Sequence, residues 1–245
     1  MLTTAPSPLS LERIIPDALD ANDATGQETY ALHLARYRFA ARFVRSGPVL
    51  DCACGVGYGS AVLAQAPARS ERVLGVDIDE RAVAHASKRY ADDRLRFRAG
   101  DGCVLTDPQG FETIVSLETV EHVPDPACLL ANFERLLLPG GTLVASVPVT
   151  PSVDVNPYHL HDFTARSFRA MGTALGLTEV DTLRQDQPFS PFRIAAGREA
   201  RLADMRPGLL GYYLTHPGRA ATRLRSTLID GFKNKYLTIA WRKAS

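Results

Sequence analysis

The chain has 245 residues, of which 45% are hydrophobic and 22% are charged, a composition typical of soluble globular proteins. Its length fits one medium-sized domain, or one domain with an appendage, and suffices to bury a full core. No apolar run approaches the roughly 18 residues that a membrane span requires, and the first residues lack the basic and apolar regions of a signal peptide. We therefore expect a cytoplasmic protein whose four cysteines are reduced, buried thiols.

Charge is divided unevenly along the chain. Residues 1–189 hold 17 basic and 24 acidic residues, a net charge of −7, whereas residues 190–245 hold 11 and 3, a net charge of +8. The basic segment can clamp an anionic acceptor, face a membrane surface or a partner subunit, or, most simply, form a solvated helical surface. Binding of nucleic acid is not expected, because the acidic part would repel phosphates and the tail does not interleave basic with aromatic residues.

Hydrophobic periodicity predicts strands that alternate with helices after a polar lead of about 24 residues. The first helix covers about 28–45 and is opened by a capping box from Thr25 to Glu28. The elements that follow are, in chain order, strand 48–52, helix 57–65, strand 72–77, a helix capped by Asp79, strand 95–99, strand 112–117, a helix capped by Asp125, strand 142–147, a helix capped by Thr164, strand 177–183, helical segments within 190–234 and a closing strand 236–241.

Alternating strands and helices indicate an α/β fold with a doubly wound, mostly parallel sheet. Ligands of such sheets bind at the carboxyl ends of the strands. Four acidic residues stand at the ends of predicted strands and should line that edge together: Asp51, Asp77, Asp101 and Glu118.

The most informative stretch is a glycine turn between a short apolar run and a helical pattern. Gly55, Gly57 and Gly59 fall at alternate positions, and Asp77 closes the next strand 22 residues after Gly55. Glycine lets backbone approach a ligand closely, and the helix that follows offers free N–H groups and a positive dipole end. A carboxylate at this spacing binds ribose hydroxyls in nucleotide-binding βαβ units. No Gly-Lys-Ser/Thr follows, so the turn is not a P-loop.

The turn reads Asp51-x-Ala53-Cys54-Gly55-x-Gly57-x-Gly59. It resembles the first motif of the class I S-adenosylmethionine (SAM)-dependent methyltransferases, Asp-x-Gly-x-Gly-x-Gly, with Ala53 where the family usually has its first glycine. The resemblance covers about residues 47–186 and 235–243. It implies a Rossmann-like, seven-stranded sheet of order 3-2-1-4-5-7-6 with strand 7 antiparallel. The helical insertion predicted before the last strand and the first 25 residues lie outside the resemblance. It also implies SAM as cofactor and S-adenosylhomocysteine (SAH) as product.

The resemblance assigns roles on the cofactor side of the site. Gly55 and Gly57 would present backbone to the methionyl part of SAM, Asp77 would bind the ribose hydroxyls, and Ile78 would pack on the adenine. Asp101 would accept a hydrogen bond from the adenine amino group, unless it is only a turn residue. The remaining cofactor candidates are Asp51, which orients the glycine turn or reaches the SAM amino group, Arg36 or Tyr37, which can reach the carboxylate, and Tyr58, Gly102 and Glu118.

A second cluster follows the fourth predicted strand. Glu118, Glu121 and His122 would share one face if they form one helical turn. His122 can then act as a general base, with Glu121 fixing its tautomer. Alternatively the three hold a divalent metal, with His159 or His161 as a fourth ligand. The Glu-x-x-Glu-His pattern is similar to the metal site of quinone-biosynthetic and small-RNA 2′-O-methyltransferases. A third interpretation is a capped turn with a packing histidine.

The loop from Asn156 to Phe163 supplies candidates for the acceptor side, including His159 as a third catalytic residue. It resembles the Asn-Pro-x-His loop of methyltransferases that modify sugars in bacterial polysaccharides and glycosylated natural products. We therefore predict methyl transfer to a small-molecule or glycan hydroxyl by direct displacement. The alternatives are a metal-assisted O-methyltransferase, an N-methyltransferase of an amino sugar, and a non-catalytic SAM-binding subunit. The sequence leaves the oligomeric state open.

The predicted elements also divide the chain into four parts. These are an N-terminal lead with a capping helix (1–46), a SAM-binding core (47–189), a basic helical insertion (190–234) and a closing strand that rejoins the core (235–245).

Overall fold

The computed structural model describes residues 14–20, 22–190, 192 and 205–245. Over these residues the chain alternates strands with helices, as predicted. After a short 3₁₀ helix at Pro16–Ala18, the elements are α1 (Ala24–Ala41), β1 (Val49–Cys52), α2 (Tyr58–Ala64), β2 (Val73–Asp77), α3 (Glu80–Tyr90), β3 (Leu95–Ala99), β4 (Phe111–Leu117), α4 (Pro126–Leu136), β5 (Leu137–Pro148), α5 (Ala165–Ala174), β6 (Thr178–Pro188), α6 (Leu209–Thr215), α7 (Pro217–Asp230) and β7 (Lys233–Arg242).

The strands form one seven-stranded sheet of order β3-β2-β1-β4-β5-β7-β6. Strands β1 to β5 pair in parallel, and β7 runs antiparallel to both β5 and β6. This confirms the predicted doubly wound fold and its strand order. All residues of β1 and β2 are buried, because helices cover both faces of a parallel sheet.

Two hydrophobic clusters, one centred on Phe133, Phe168 and Trp241 and one on Tyr37 and Leu63, pack the helices onto the sheet. Trp241 of β7 is 1% exposed and meets Phe168 of α5 edge to face, with ring centroids 5.0 Å apart. Burial of aromatic rings of this size dominates the energetics of such a core. The packed sheet therefore fixes the positions of the loops at its carboxyl edge.

The first helix begins and ends earlier than predicted. Asp23 caps it, with its side chain accepting a hydrogen bond from the backbone N–H of Gly26 at 3.0 Å. The predicted capping box at Thr25 is wrong, because Thr25 already lies in the first helical turn. The helix ends at Ala41 instead of continuing to about residue 45.

The two antiparallel strands are longer than predicted. β6 and β7 pair from Thr178 with Arg242 to Pro188 with Lys233, and the polar residues along both strands hid these extensions from hydrophobic periodicity. Helices α6 and α7 lie within the predicted insertion, and its residues 191 and 193–204 lie outside the described residues. The expectation of buried thiols is wrong for Cys128, which is exposed, although all four cysteines are free. Within the described chain, no helix has the length and hydrophobicity needed to cross a membrane.

Candidate active site

Four adjacent strands bring the predicted acidic residues to one edge of the sheet. The order β3-β2-β1-β4 is parallel throughout, so the carboxyl ends of these strands meet at the same edge. Asp51 lies inside β1 and Asp77 ends β2, while Glu118 follows β4 directly and Asp101 follows β3 after one glycine. The edge is therefore lined by carboxylates from four separate strands.

The glycine turn between β1 and α2 contains three residues with left-handed backbone. Ala53, Gly55 and Gly57 have φ angles of 64°, 54° and 90°. A Cβ on Gly57 would lie 2.6 Å from the Cβ of Ala86 in α3, so packing excludes any larger residue there. A Cβ on Gly55 would meet no atom within 4 Å. Gly55 thus borders open space at the edge, where a ligand can approach the backbone. The left-handed backbone of Ala53 costs about 1–2 kcal/mol of conformational free energy, whereas glycine adopts this conformation without that cost.

The open space at Gly55 leads to a prediction. Gly55→Ala should weaken SAH binding at least about tenfold, because the new methyl group occupies space that the fold leaves open beside the turn. Its cost in stability should be about 1 kcal/mol, since Ala53 shows that alanine fits a similar backbone two residues away. Calorimetric titration and urea unfolding measure the two effects.

The matched control for that variant is Gly176→Ala. Gly176 has a φ of 72° and its Cβ would also meet nothing within 4 Å, but it lies after α5, away from the carboxyl edge. Equal losses of SAH affinity in the two variants would show that Gly55 has no special place in the site.

The carboxylate of Asp77 organises the turn. It accepts hydrogen bonds from the backbone N–H of Gly55 at 2.8 Å and of Asp79 at 2.9 Å. It is 7% exposed, whereas the next side chain, Ile78, is 76% exposed. A nearly buried carboxylate beside an exposed apolar side chain provides an acceptor for hydroxyl groups and a surface for a flat ring.

Asp51 ties the glycine turn to both covering helices. Its carboxylate is fully buried and accepts hydrogen bonds from Ser60 Oγ in α2 at 2.6 Å and from the Tyr37 hydroxyl in α1 at 3.3 Å. The Tyr37 ring packs directly on Gly59, where a Cβ would lie 1.9 Å from Tyr37 Cζ. Of the two roles predicted for Asp51, this geometry favours the orientation of the turn, and it places Tyr37 in the same network.

Burial raises the pKa of Asp51 from its usual 3.8 to about 7. The folded state therefore binds a proton that the unfolded state releases, and the stability that this group contributes is lost as the pH rises from about 4 through 7. Asp51→Asn removes the titration. Relative to wild type, the free energy of unfolding of the variant should rise by up to about 1.4 kcal/mol for each pH unit between pH 5 and 7. Urea unfolding at both pH values tests this, and a pH-independent difference would contradict it.

Arg36 of α1 points a buried guanidinium toward the same edge. Its Nε donates to Gln185 Oε1 at 2.8 Å, its Cζ lies 4.3 Å from the ring centroid of Tyr236, and its Nη1 lies 3.8 Å from Glu118 Oε2. Arg36 is 1% exposed, and its Nη1 has no hydrogen-bond partner among the described residues. Since an unsatisfied buried donor costs free energy, this group is suited to receive a carboxylate.

Glu118 is held in a left-handed conformation, with a φ of 52°. Its backbone N–H donates to Ser146 Oγ at 2.9 Å, and the Ser146 hydroxyl donates to Glu118 Oε1 at 2.6 Å. Glu118 is therefore not part of one helical turn with Glu121 and His122, which was the condition for all three side chains to share one face. Residues 120–122 instead form a turn by themselves.

The other cofactor candidates also make contacts within the protein. Tyr58 opens α2, and its hydroxyl lies 3.1 Å from His33 Nδ1. The exposed Asp101 accepts a hydrogen bond from the backbone N–H of Cys103 at 2.8 Å, as a turn residue does. A Cβ on Gly102 would lie 2.7 Å from Cys52 Sγ, so this glycine packs the loop after β3 against β1.

The acceptor-side candidates form a group of three. One ligand atom each from Glu121, His122 and His159 lie within 4.8 Å of one another. The two imidazole rings meet edge to face, with centroids 4.7 Å apart. His122 Nδ1 lies 3.1 Å from the carbonyl oxygen of Tyr158, and His159 Nδ1 lies 2.7 Å from Ser152 Oγ. Burial, and secondarily the nearby His122, lower the pKa of His159 to about 3, which keeps this imidazole neutral at physiological pH.

Glu118 and His161 lie outside this group. Glu118 is engaged with Ser146 and Arg36, as described above. His161 Nε2 lies 3.0 Å from the carbonyl oxygen of Val123, and its side chain lines a separate depression of about 510 Å³. Of the ligands in the alternative metal interpretation, the structure brings together Glu121, His122 and His159, and it does not group Glu118 or His161 with them.

Several residues that orient the predicted site residues were not predicted from the sequence. Ser60, Ser146 and Gln185 orient predicted site residues from within a helix or a strand, and Ser152 does so from the same loop as its partner His159. Polar residues at the end of an otherwise apolar strand, such as Ser146 in β5, were the available signal.

The sequence of this chain is similar to those of known methyltransferases. Residues 50–145 match the model of the family described as Methyltransferase domain. The chain is 31% identical over 183 residues to a probable S-adenosylmethionine-dependent methyltransferase of Mycolicibacterium smegmatis, covering 72% of this chain and 67% of the relative. It is 34% identical over 103 residues to the ubiquinone biosynthesis O-methyltransferase of Leptothrix cholodnii, covering 40% of this chain and 43% of that protein. The chain thus spans about two thirds of the mycobacterial relative and less than half of the other.

Among solved structures, the N-methyltransferase NodS from Bradyrhizobium japonicum in complex with SAH superposes with a TM-score of 0.57 at 17% identity, covering 92% of this chain and 90% of NodS. At this identity the likeness shows the fold. The open backbone at Gly55, the carboxylate of Asp77 and the unsatisfied donor of Arg36 fit the polar groups of SAM. The chain belongs to the class I SAM-dependent methyltransferases, and SAM is its cofactor.

Proposed function

We propose that this chain transfers the methyl group of SAM to a hydroxyl of a small-molecule or glycan acceptor, with His122 as general base. The observation that supports this is the environment of His122 Nδ1, 3.1 Å from the carbonyl oxygen of Tyr158. A carbonyl only accepts hydrogen bonds, so Nδ1 carries the proton and Nε2 carries the lone pair in the neutral ring. A hydroxyl is a weak acid, so its attack is helped by a base that takes the proton.

SAM supplies a methyl group that is already activated on a sulfonium. What the chain must add is alignment, exclusion of water and a place for the proton. His122 receives that proton at Nε2, and the buried carboxylate of Glu121 stabilises the resulting imidazolium. His159 stays neutral because burial holds its pKa near 3, so it adds no repulsive charge beside His122. Ser152 keeps the His159 ring in place.

On the cofactor side, the proposed contacts are those that the edge geometry offers. Gly55 presents backbone, Asp77 accepts from the ribose hydroxyls, and Ile78 covers the adenine. Arg36 binds the carboxylate with the support of Tyr37 on the same helix. The remaining proposed cofactor contacts are Asp51, Gly57, Tyr58, Asp101, Gly102 and Glu118.

The names of similar proteins bear on which atom is methylated. The relative at 34% identity is named an O-methyltransferase, whereas the superposed NodS, at 17% identity, is named an N-methyltransferase. The higher identity supports oxygen as the acceptor atom. A neutral amine attacks without first losing a proton, so methylation of an amine would not require His122 as a general base.

A metal-assisted O-methyltransferase is the second candidate. The ligand atoms of Glu121, His122 and His159 lie close enough to share one ion. One carboxylate and two imidazoles suit divalent transition metals, and hydrogen bonds from the two Nδ1 atoms would orient the rings as they do around bound metals. In this case the metal, in place of the imidazole of His122, would lower the pKa of the acceptor hydroxyl.

Methyl transfer from isotopically labelled SAM to a panel of sugars, nucleotide sugars, amino sugars and catechols tests the proposal. Parallel reactions contain EDTA, Mg²⁺, Mn²⁺ or Zn²⁺, and mass spectrometry locates the added methyl group. A methylated hydroxyl formed in EDTA supports the base mechanism. Activity that EDTA abolishes and one divalent ion restores supports the metal candidate. Methylation confined to amines would overturn both.

A further inference from the structure

The hairpin of helices α6 and α7, residues 209–230, holds the loop that follows β5. Arg223 of α7 donates to both carboxylate oxygens of Asp154, from Nη2 at 2.6 Å and from Nε at 2.9 Å. Its Nη2 also donates to the carbonyl oxygen of Pro151 at 2.5 Å, and the Tyr213 hydroxyl of α6 donates to Asp154 at 2.6 Å. Asp154 is 1% exposed. A two-pronged contact to a buried carboxylate fixes the relative position of the two partners.

A second contact holds the same loop at its other end. Arg219, one helical turn before Arg223, pairs with Asp162. The carboxylate of Asp162 also accepts hydrogen bonds from the backbone N–H of Ser152 at 2.7 Å and of Val153 at 3.1 Å. The hairpin therefore reaches Ser152 from two directions, through the carbonyl that precedes this residue and through the acceptor of its N–H.

Ser152 connects this loop to the acceptor side of the candidate active site. It is buried, and its Oγ lies 2.7 Å from His159 Nδ1. His159 in turn belongs to the group that also contains Glu121 and His122. The hydrogen bond at one ring nitrogen of a histidine sets the orientation of the other, so the position of Ser152 decides where His159 Nε2 points.

We infer that Arg223 is a positioning residue of the active site. Through Asp154 and Pro151 it places Ser152, and Ser152 orients His159 beside His122. The hairpin is then part of the acceptor side of the site. An arginine suits this task because its planar fork fixes two oxygens at once, which the single ammonium of a lysine does not do. The kinetic consequence of this inference rests on the proposed function.

Arg223→Ala should lower kcat for the hydroxyl acceptor found in the panel above by about 10–100-fold, the cost of displacing an active-site group by about 1 Å. The SAH affinity should stay unchanged, since none of these contacts involves the glycine turn. The matched control is Arg72→Ala. Arg72 makes a similar pair with Asp107, at 2.9 Å and 3.3 Å, but it directly precedes β2 at the opposite edge of the sheet. Equal losses of kcat in the two variants would overturn the inference.

A double-mutant cycle separates positioning from a merely structural role. Ser152→Ala removes the hydroxyl through which Arg223 acts on His159. In that background, Arg223→Ala should lower kcat by less than about twofold further, because coupled residues are not additive. Independent losses that multiply in the double variant would show that Arg223 acts elsewhere, and would contradict the inference.

Chemical modification of His159 tests the same contacts without a methyl acceptor, so it separates failure of the inference from failure of the proposed function. Diethyl pyrocarbonate is added to the full chain, and peptide mass spectrometry follows the carbethoxylation of His159. We expect His159 to react at least about tenfold faster in Arg223→Ala than in wild type, as the loss of charged hydrogen bonds frees the loop.

The Arg223 variants should fold, because no residue of α6 or α7 is buried and the sheet core does not depend on them. Arg223→Lys, the milder change, keeps the charge but not the two-pronged contact. It should shift kcat and the reactivity of His159 in the same direction as Arg223→Ala, by a smaller factor. Reaction of His159 at the wild-type rate in Arg223→Lys and Arg223→Ala would overturn the inference.

Discussion

Asp77→Ala should reduce the affinity for SAH by at least about 100-fold. The carboxylate of Asp77 accepts hydrogen bonds from the backbone N–H groups of Gly55 and Asp79, so its removal loosens the turn as well as deleting the proposed partner of the ribose hydroxyls. A lost hydrogen bond to a charged group costs about 1.5–3 kcal/mol, and two such losses account for the expected effect. Calorimetric titration with SAH gives the affinity directly.

The matched control for this variant is Asp92→Ala. The carboxylate of Asp92 also accepts from two backbone N–H groups, those of Arg94 and Leu95, both at 2.7 Å, but it precedes β3 at the opposite edge of the sheet. We expect Asp92→Ala to bind SAH as wild type does. If both variants lost affinity equally, or if Asp77→Ala bound normally, Asp77 would not be the ribose ligand.

His122→Gln should lower kcat for a hydroxyl acceptor by about 10²–10⁴-fold, the usual contribution of a general base, while leaving the SAH affinity unchanged. Glutamine can donate a hydrogen bond to the carbonyl oxygen of Tyr158 as the imidazole does, but it cannot accept a proton. Steady-state kinetics and SAH titration on the same preparation measure the two quantities.

His85→Gln is the control for His122→Gln, because His85 lies within α3 and outside the group formed by Glu121, His122 and His159. Its kcat should match that of wild type. A loss of kcat smaller than tenfold in His122→Gln would exclude His122 as the base, and a parallel loss of SAH affinity would assign it to cofactor binding or to folding instead.

The sequence was sufficient to predict the sheet and the edge at which the acidic residues at the strand ends are placed. The central strands are short apolar runs, because both of their faces are buried. Glycine, proline or a capping aspartate separates each strand from the next. The predicted strand order and the antiparallel last strand are confirmed. The resemblance supplied that order, because periodicity alone does not say which strands are neighbours.

Contacts between distant segments could not be predicted. Arg36 and Gln185 are separated by 149 residues, and the pairing of α1 with β6 that joins them has no local signature. The backbone of Glu118 is another example. Its left-handed φ of 52° depends on Ser146 in a neighbouring strand, so spacing alone wrongly grouped Glu118 with His122.

Titration of SAH into the full chain, with wild type and Gly55→Ala measured side by side in EDTA, tests the central claim most directly. We predict that wild type binds one SAH per chain without added metal and that Gly55→Ala binds at least about tenfold more weakly while retaining cooperative unfolding. Absence of binding by wild type, or equal affinity in the two proteins, would contradict the placement of the cofactor at the glycine turn.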